Sequence, residues 1–422
     1  MYISLRDRPA SDAIPPRARR GRVSSTVVTL GIVSMLTDIS SESVAAVLPL
    51  YLTSAMGLSL IAYGFVDGIF QGAGAVVRIG AGWASDRTDR PKWVAFSGYL
   101  LSALTRGWLI AAQGLAAVAA LVTVDRIGKG IRTAPRDALI AASADPDDLA
   151  RSFGVHRALD TVGAALGPLL AFVILSVIPD GYTAVFVLSL GAATIGVAIL
   201  GLLVPDRRPR RERTATGAAL ERVRWRNLAE PRLRILLVVM AVLSLLTIGD
   251  GFLYLSLQER SGFAAQWFPL LFVGTNVVYI ALATPLGRLA DRFGRARVLI
   301  LGHLGLLGAY ALALVPGAGL GPVLGCLALL GAFYAATDGV LAAVAGSLVD
   351  PSVRASAIGA AQAVVAVCRM VASAVFGALW YALGRTESLL VVSALLALSL
   401  PFCFVAVRRL NRPPSAESQA VS

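Results

Sequence analysis

The sequence predicts an all-α membrane protein whose twelve transmembrane helices form two pseudo-symmetric six-helix bundles. Composition, the length of the apolar runs and an internal repeat together predict this fold class. Hydrophobic residues make up 57% of the 422-residue chain and charged residues 15%, whereas an ordinary soluble domain carries about a quarter charged residues. The apolar residues fall in runs of about 20, which are long enough to cross ~30 Å of hydrocarbon.

One sequence pattern occurs twice, and each copy lies at the end of a long apolar run. The first copy contains Gly82, Asp86, Arg87, Arg90 and Lys92, and the second contains Gly287, Asp291, Arg292, Arg295 and Arg297. An Asp-Pro pair keeps the same separation of 205 residues, at 145–146 and 350–351. Two unrelated landmarks with one period indicate an internal duplication. Duplicated helical halves around a central site are typical of secondary transporters.

The apolar runs predict six helices in each half of the chain. In the first half they are predicted at 25–50, 60–83, 93–113, 115–138, 153–178 and 182–204. In the second half they are predicted at 234–257, 266–288, 297–316, 321–348, 355–383 and 388–408.

The same runs predict the domain organisation. We expect a disordered N-terminus at 1–22, a six-helix bundle at 23–204, a linker at 205–233, a second bundle at 234–408 and a tail at 409–422. The linker opens with two prolines and continues in an arginine-rich stretch, which marks it as the boundary between the bundles. Both termini are polar and poor in aromatic residues, which is typical of disordered segments.

The formal net charge of +13 reflects where the basic residues lie. Arginines gather in the N-terminus, the 205–233 linker and the C-terminus, while alternate connections such as 52–59, 113–115 and 316–322 hold no basic residue. This asymmetry predicts that both termini and the linker are cytoplasmic. The basic residues flank membrane spans, so we expect them to contact anionic lipids and not nucleic acid.

Three motifs carry a resemblance to a known family. The loop Gly82-Trp-Ala-Ser-Asp86-Arg87-Thr-Asp-Arg90-Pro-Lys92, with its second copy, resembles the signature loop of the major facilitator superfamily. Asp125-Arg126-Ile-Gly128-Lys129-Gly130 resembles the arginine–glycine motif of that family's fourth helix. Gly163-Ala-Ala-Leu-Gly167-Pro168 resembles the glycine–proline motif of the fifth helix, which is frequent in exporters that work by antiport. The longer string from Asp125 to Asp137 looks like a subgroup of bacterial permeases.

The resemblance implies a twelve-helix permease of the bacterial cytoplasmic membrane that works by alternating access. It also implies that the two loop copies form a conformational latch. Its residues are Gly82, Asp86, Arg87 and Arg90 in the first copy, and Gly287, Asp291, Arg292 and Arg295 in the second. Each aspartate can pair with an arginine or a helix N-terminus, and that contact must break in the alternate state.

Ionisable side chains within the spans are the main candidates for function, because each costs several kcal/mol, about 2.5–3.5 even on insertion scales. The first half contains Asp38, Glu42, Asp67, Arg106, Asp125, Arg126, Lys129, Arg157 and Asp160, and the second contains Asp250, Asp338 and Arg369. We expect the first half to carry the coupling chemistry and the second mainly to shape the cavity.

Each of these residues has a functional and a structural interpretation. Asp38 and Glu42 lie on one helix face at i,i+4 and repel, which favours proton binding by one of them. Arg126 lies at a similar depth and is the expected partner of these carboxylates. Arg157 and Asp160 are spaced at i,i+3 and fit a static ion pair equally well. We expect His156 and His303 to be polar packing residues, since two distant histidines make no metal site.

These observations predict export of a small organic molecule in exchange for protons. Uptake of an anionic metabolite or chelate together with protons is the alternative, which the basic stripe of the fourth helix would suit. A non-transporting membrane receptor is a third hypothesis. The chain contains no soluble domain with a nucleophile and a base, so we expect neither an enzyme nor a cofactor. We also expect a monomer.

Overall fold

The computed structural model describes residues 23–85, 90–144, 148–206, 230–316, 319–350 and 353–408. The N-terminus at 1–22, most of the predicted linker and the tail at 409–422 therefore lie outside the described residues. So do Asp86 and Arg87 of the first latch copy. Within the described ranges the secondary structure is helical.

The helices follow the apolar runs of the sequence. In the first half they are α1 (Ser25–Leu50), α2 (Leu60–Ser85), α3 (Pro91–Ala111), α4 (Gly114–Ser143), α5 (Leu149–Val177) and α6 (Tyr182–Leu203). In the second half they are α7 (Pro231–Leu245), α8 (Asp250–Ser261), α9 (Pro269–Phe293), α10 (Arg295–Leu314), α11 (Leu320–Ser347), α12 (Arg354–Leu383) and α13 (Arg385–Arg408). A π-helical turn continues α1 through Tyr51–Ala55.

The predicted fold of twelve spans in two bundles is confirmed. Ten helical segments of the described chain are long and apolar enough to cross a membrane, and α7 with α8 forms one of them, Pro231–Ser261. Helices α2 and α4 complete the twelve. The polarity of α4 has a plain cause, because it carries Asp125, Arg126, Lys129, Arg132, Arg136 and Asp137.

Helices pack against one another within each half of the chain, and the two halves also contact each other. In the first half α1 packs against α5 and α6, and α3 packs against α4 and α6. In the second half α11 packs against α9 and α10, and α7 packs against α12. The two halves meet mainly through α2 with α12 and through α5 with α9. The cavity described below is lined by α1 and α2 from the first half and by α8, α9, α11 and α12 from the second.

Several of the described contacts between the halves lie toward one end of the molecule. We call the end at which residues 23 and 408 lie the basic end, and the other the opposite end. Toward the opposite end the α2 glycines touch α12, so that a Cβ at Gly64 would lie 2.6 Å from Ser373 O. There also the ring of Phe172 stacks on Trp267 at 5.2 Å between centroids. Glycine lets the two backbones approach this closely.

Two predicted details differ in the structure. The seventh span was predicted as one helix but is broken at 246–249, between α7 and α8. The hydroxyl of Tyr310 accepts a hydrogen bond from Ile248 N at 2.9 Å and donates one to Leu246 O at 3.1 Å. These bonds replace two that a continuous helix would have made, which makes the break stable inside the protein.

The second copy of the repeated pattern is also placed differently from the predicted loop. Gly287, Asp291 and Arg292 lie within α9, which extends to Phe293, five residues beyond its predicted end. The connection to α10 is Gly294 alone, with a φ of 103°. Glycine adopts this conformation without steric cost, so the turn between the two helices can be this short.

Candidate functional site

A polar cavity of about 230 Å³ lies where the two halves of the chain meet. We call it the central cavity. Its charged lining consists of Glu42 from α1, Asp67 from α2, Asp250 from α8 and Arg369 from α12. Aromatic side chains complete the wall, namely Tyr63, Phe70, Phe272 and Tyr334. Three carboxylates and one guanidinium therefore face a single space.

A hydrogen-bonded triad from the second half forms one side of this cavity. The Tyr334 hydroxyl donates to Asp250 Oδ1 at 2.5 Å, and Arg369 Nη2 donates to the Tyr334 oxygen at 2.7 Å. Arg369 Nη2 lies 3.9 Å from Asp250 Oδ1. The break in the seventh span places Asp250 in the first turn of α8, where the helix dipole stabilises a carboxylate.

Asp67 forms a direct polar contact between the two halves. Ser373 Oγ of α12 donates to Asp67 Oδ2 at 2.6 Å, and both residues are buried. The Asp67 carboxylate also lies against Gly249, at the start of α8, where any side chain on the glycine would collide with it. A proton on Asp67 would change this contact, so the residue can link proton binding to the relative position of the halves.

Asp125 lies away from the central cavity, in an ion cluster with two arginines. Arg106 Nη2 is 2.8 Å from its Oδ1, and Arg126 Nη2 is 2.6 Å from its Oδ2. All three side chains are at most 8% exposed. The Arg126 guanidinium also lies 3.9 Å from the ring centroid of Phe70. This arrangement fixes α3, α4 and α2 to one another.

The expected pairing of Arg126 with the carboxylates of α1 is therefore wrong, because its described partners are Asp125 and Phe70. Lys129, three residues further along α4, lies close enough to Asp38 and Glu42 for their charges to interact, and Arg132 also interacts with Asp38. Residue count gave the depth of Arg126 in the membrane but not the direction of its side chain. A neighbouring carboxylate offers a closer partner than one on another helix.

The fifth-helix motif packs against α1 next to these carboxylates. A Cβ at Gly163 would collide with the backbone of Met35. A Cβ at Gly167 would lie 2.8 Å from Ser43 N and 3.0 Å from the Cβ of Glu42. Pro168 follows directly within α5. The glycines thus hold the backbone of α5 against the part of α1 that carries Asp38 and Glu42.

The remaining predicted residues differ in exposure. Arg157 Nη1 lies 3.4 Å from Asp160 Oδ2, and the arginine side chain is 76% exposed. His303 is buried, with Nδ1 3.0 Å from Leu299 O. Neither nitrogen of the buried His156 has a described hydrogen-bond partner. Asp338 is exposed on α11 and lines a second space, described below.

The described latch residues do not bridge the two halves in this structure. Asp291 Oδ1 lies 2.7 Å from Arg295 Nε, four residues on, and both side chains are largely exposed. Arg90 is also exposed, while Arg87 and Asp86 lie outside the described residues. An exposed pair of this kind contributes about 0–1 kcal/mol. Its role as a latch in another conformation stays a prediction.

Sequence reasoning missed the neutral polar residues of the site. Tyr334 and Ser373 connect the charged groups of α2, α8 and α12, and Tyr310 stabilises the break. Contrary to expectation, the second half supplies as many charged groups to the central cavity as the first. A signal for the break was present, since Gly249, Asp250 and Gly251 interrupt the apolar run of the seventh span.

Two helical bundles around a polar cavity define a secondary membrane transporter. A family model described as Major Facilitator Superfamily matches residues 30–275 and 260–421. The chain belongs to this superfamily, and it is a multi-pass membrane protein.

One relative with an MFS-type description agrees with this assignment. An MFS-type transporter of Methanocaldococcus jannaschii is 29% identical over 364 residues, which cover 85% of this chain and 89% of that protein. An uncharacterized protein of Mycobacterium tuberculosis is 32% identical over 179 residues, which cover 42% of each chain.

Two solved structures share the fold. The nucleoside transporter NupG has a TM-score of 0.75 at 16% identity, covering 92% of this chain and all of that one (100%). A bacterial homologue of the human lysosomal transporter Spinster, in an inward-facing and unoccupied conformation, has a TM-score of 0.71 at 16% identity. That match covers 92% of this chain and 98% of the homologue.

Proposed function

We propose that this transporter exports a small organic molecule in exchange for protons, by alternating access across the cytoplasmic membrane of its cell. Both termini and the basic end face the cytoplasm in this proposal, because the arginines gather there. The observation that carries the proposal is the central cavity, where Glu42, Asp67 and Asp250 face one space at the meeting of the two halves.

Carboxylates in such a cavity favour exchange over co-transport. A buried carboxylate is costly unless its charge is compensated by a proton or by a cationic group. When one of these leaves, the other can take its place, so the proton and the substrate exclude each other. The helix-five motif at Gly163, Gly167 and Pro168 supports the same direction, because its resemblance is to antiport exporters.

Uptake of an anion is the weaker alternative because most of the basic side chains of α4 are already engaged. Arg126 pairs with Asp125, and Arg132 lies 4.6 Å from the ring centroid of Tyr99. The charge of Lys129 interacts with the carboxylates of Asp38 and Glu42 on α1. None of these cations lines the central cavity. An anionic substrate in that cavity would meet three carboxylates and the single guanidinium of Arg369.

The role of Asp67 can be tested by two matched variants, Asp67→Asn and Ser373→Ala. Asp67→Asn holds the group in a neutral form, so we expect proton-driven accumulation to fall at least tenfold while exchange of substrate for substrate continues. Ser373→Ala removes the hydrogen bond but leaves the carboxylate, so we expect a slower transport rate with proton coupling retained.

The measurement is substrate flux and proton flux in the same proteoliposomes, with a pH-sensitive dye inside. Normal proton-driven accumulation by Asp67→Asn would remove this residue from the coupling mechanism. The next candidates would be Asp38 and Glu42 on α1, which face Lys129. A wild-type protein that moves substrate without any proton movement would contradict the proposed exchange itself.

A further inference from the structure

A second chamber of about 350 Å³ adjoins the central cavity on the side of the second half of the chain. We call it the side chamber. Gln71, Tyr334 and Arg369 line both spaces and form the boundary between them. The other polar side chains of its wall are Ser244, Thr247, His303, Thr337, Asp338 and Gln362.

Arg369 has hydrogen-bond donors that no described protein group uses. Its Nη2 donates to Tyr334 Oη, while its Nε is buried without a described partner. A guanidinium has five N–H donors in a planar fork, which matches a carboxylate. Arg369 itself lines both spaces, so a carboxylate bound there can meet its guanidinium.

The rest of the side chamber offers acceptors. Thr247 and Thr337 donate their hydroxyl protons to Leu243 O and Phe333 O, which leaves their oxygen lone pairs for the chamber. Asp338 makes no hydrogen bond or ion pair with the described residues. It is close enough to Arg369 for the two charges to interact, but it does not pair with it. An ammonium group has three donors and no acceptor, which suits this wall.

We propose that the side chamber and Arg369 together bind a zwitterion of the size of an amino acid. The ammonium group lies against Asp338, and the carboxylate lies on the free donors of Arg369. This assignment rests on the proposed function, for which it names the substrate class.

The two charged groups, Asp338 and Arg369, discriminate against other small ligands. A simple cation would occupy Asp338 but would leave the donors of Arg369 unsatisfied beside it. A simple anion would satisfy Arg369 but would face the uncompensated carboxylate of Asp338. A polar or charged group that loses its partner in the bound state is a source of selectivity. The side chamber is at the small end of ligand pockets, which fits an amino acid and not a larger molecule.

The test is a binding measurement on the purified full-length protein in detergent, without any pH gradient. The probes are L-leucine, L-glutamine and L-phenylalanine as zwitterions, their methyl esters as cations and their N-acetyl derivatives as anions. We expect at least one zwitterion to bind at least tenfold more tightly than both of its derivatives. Equal or tighter binding of an ester or of an N-acetyl derivative, or no binding of any zwitterion, would overturn the proposal.

Two variants assign the ends of the ligand. Asp338→Asn should weaken binding of the zwitterion at least tenfold and should strengthen binding of the N-acetyl derivative, because the repelling carboxylate is gone. Arg369→Gln should weaken binding of the zwitterion and should not weaken binding of the ester. Glu387→Gln, an exposed residue at the start of α13, is the control for loss of one negative charge and should not alter binding.

Arg369 also holds Tyr334 and Asp250, so its variant can fail to fold. Asp338→Asn avoids this problem, because Asp338 has no described partner to lose. Unchanged binding of the zwitterion by Asp338→Asn is therefore sufficient by itself to overturn the proposal. If the purified protein binds a zwitterion but moves no protons in vesicles, the proposed function is contradicted. The proposed zwitterion site is then unaffected.

Discussion

Asp125→Asn is expected to destabilise the folded protein by about 3–5 kcal/mol, because it leaves two buried arginines without their counter-charge. Arg106 and Arg126 both bond to Asp125, and each is almost fully buried. The measurement is thermal unfolding of the purified protein in detergent, together with the amount of protein inserted in the membrane. We expect a large fall in both.

Two further variants separate this effect from a general loss of charge. Asp160→Asn removes a carboxylate whose partner Arg157 is mostly exposed, so we expect a change of about 0–1 kcal/mol. Combining Asp125→Asn with Arg106→Leu removes one of the two uncompensated cations and should recover part of the lost stability. If Asp125→Asn alone were as stable as the wild type, water would have to reach the cluster of Asp125 with Arg106 and Arg126.

The double variant Gly64→Ala, Gly68→Ala is expected to lower the transport rate at least tenfold without loss of membrane insertion. A Cβ at Gly64 would lie 2.6 Å from Ser373 O, and one at Gly68 would lie 2.6 Å from Met370 O. These partners are backbone atoms and cannot move aside as side chains do. Overpacking of this kind costs about 1–3 kcal/mol per site, and about 1.4 kcal/mol changes an equilibrium tenfold.

The clash acts only while α2 and α12 are in contact, so it should shift the protein toward the state in which the opposite end is open. A cysteine introduced by Asn276→Cys in the central cavity reports this state by its labelling from either side of the membrane. The control is Gly74→Ala on the same helix, where a Cβ would meet only Arg126 O at 3.8 Å. Equal labelling in the Gly64→Ala, Gly68→Ala protein and in the Gly74→Ala control would mean that the contact between α2 and α12 does not gate the cavity.

Most of the fold could be predicted from the sequence because apolar length and charge placement decide where a span begins and ends. Helix α1 has the predicted bounds, and the others differ by a few residues at most of their ends. Gly249, Asp250 and Gly251 signal an interruption of the seventh span, but the contact that makes a break stable there could not be predicted from the sequence. It depends on the hydroxyl of Tyr310, which comes from a helix about 60 residues further along the chain and satisfies the freed backbone groups.

The candidate site was predictable as a set of residues but not as an arrangement. A charge within a span is a strong signal, and it singled out Asp67, Asp250 and Arg369, which line the central cavity in the structure. Their partners Tyr334 and Ser373 are neutral and carry no such signal. Helix rotation decides which face meets the cavity, and residue counting along one helix gives depth alone. This is why Arg126 was expected to face α1 and instead faces Asp125.

The most direct test of the central claim is substrate uptake into proteoliposomes under pH gradients of opposite sign. Exchange predicts that substrate accumulates when the vesicle interior is the more acidic side, because protons leave as substrate enters. For one-to-one exchange, a gradient of about one pH unit supports about tenfold accumulation. Accumulation only when the exterior is the more acidic side would contradict exchange and establish co-transport.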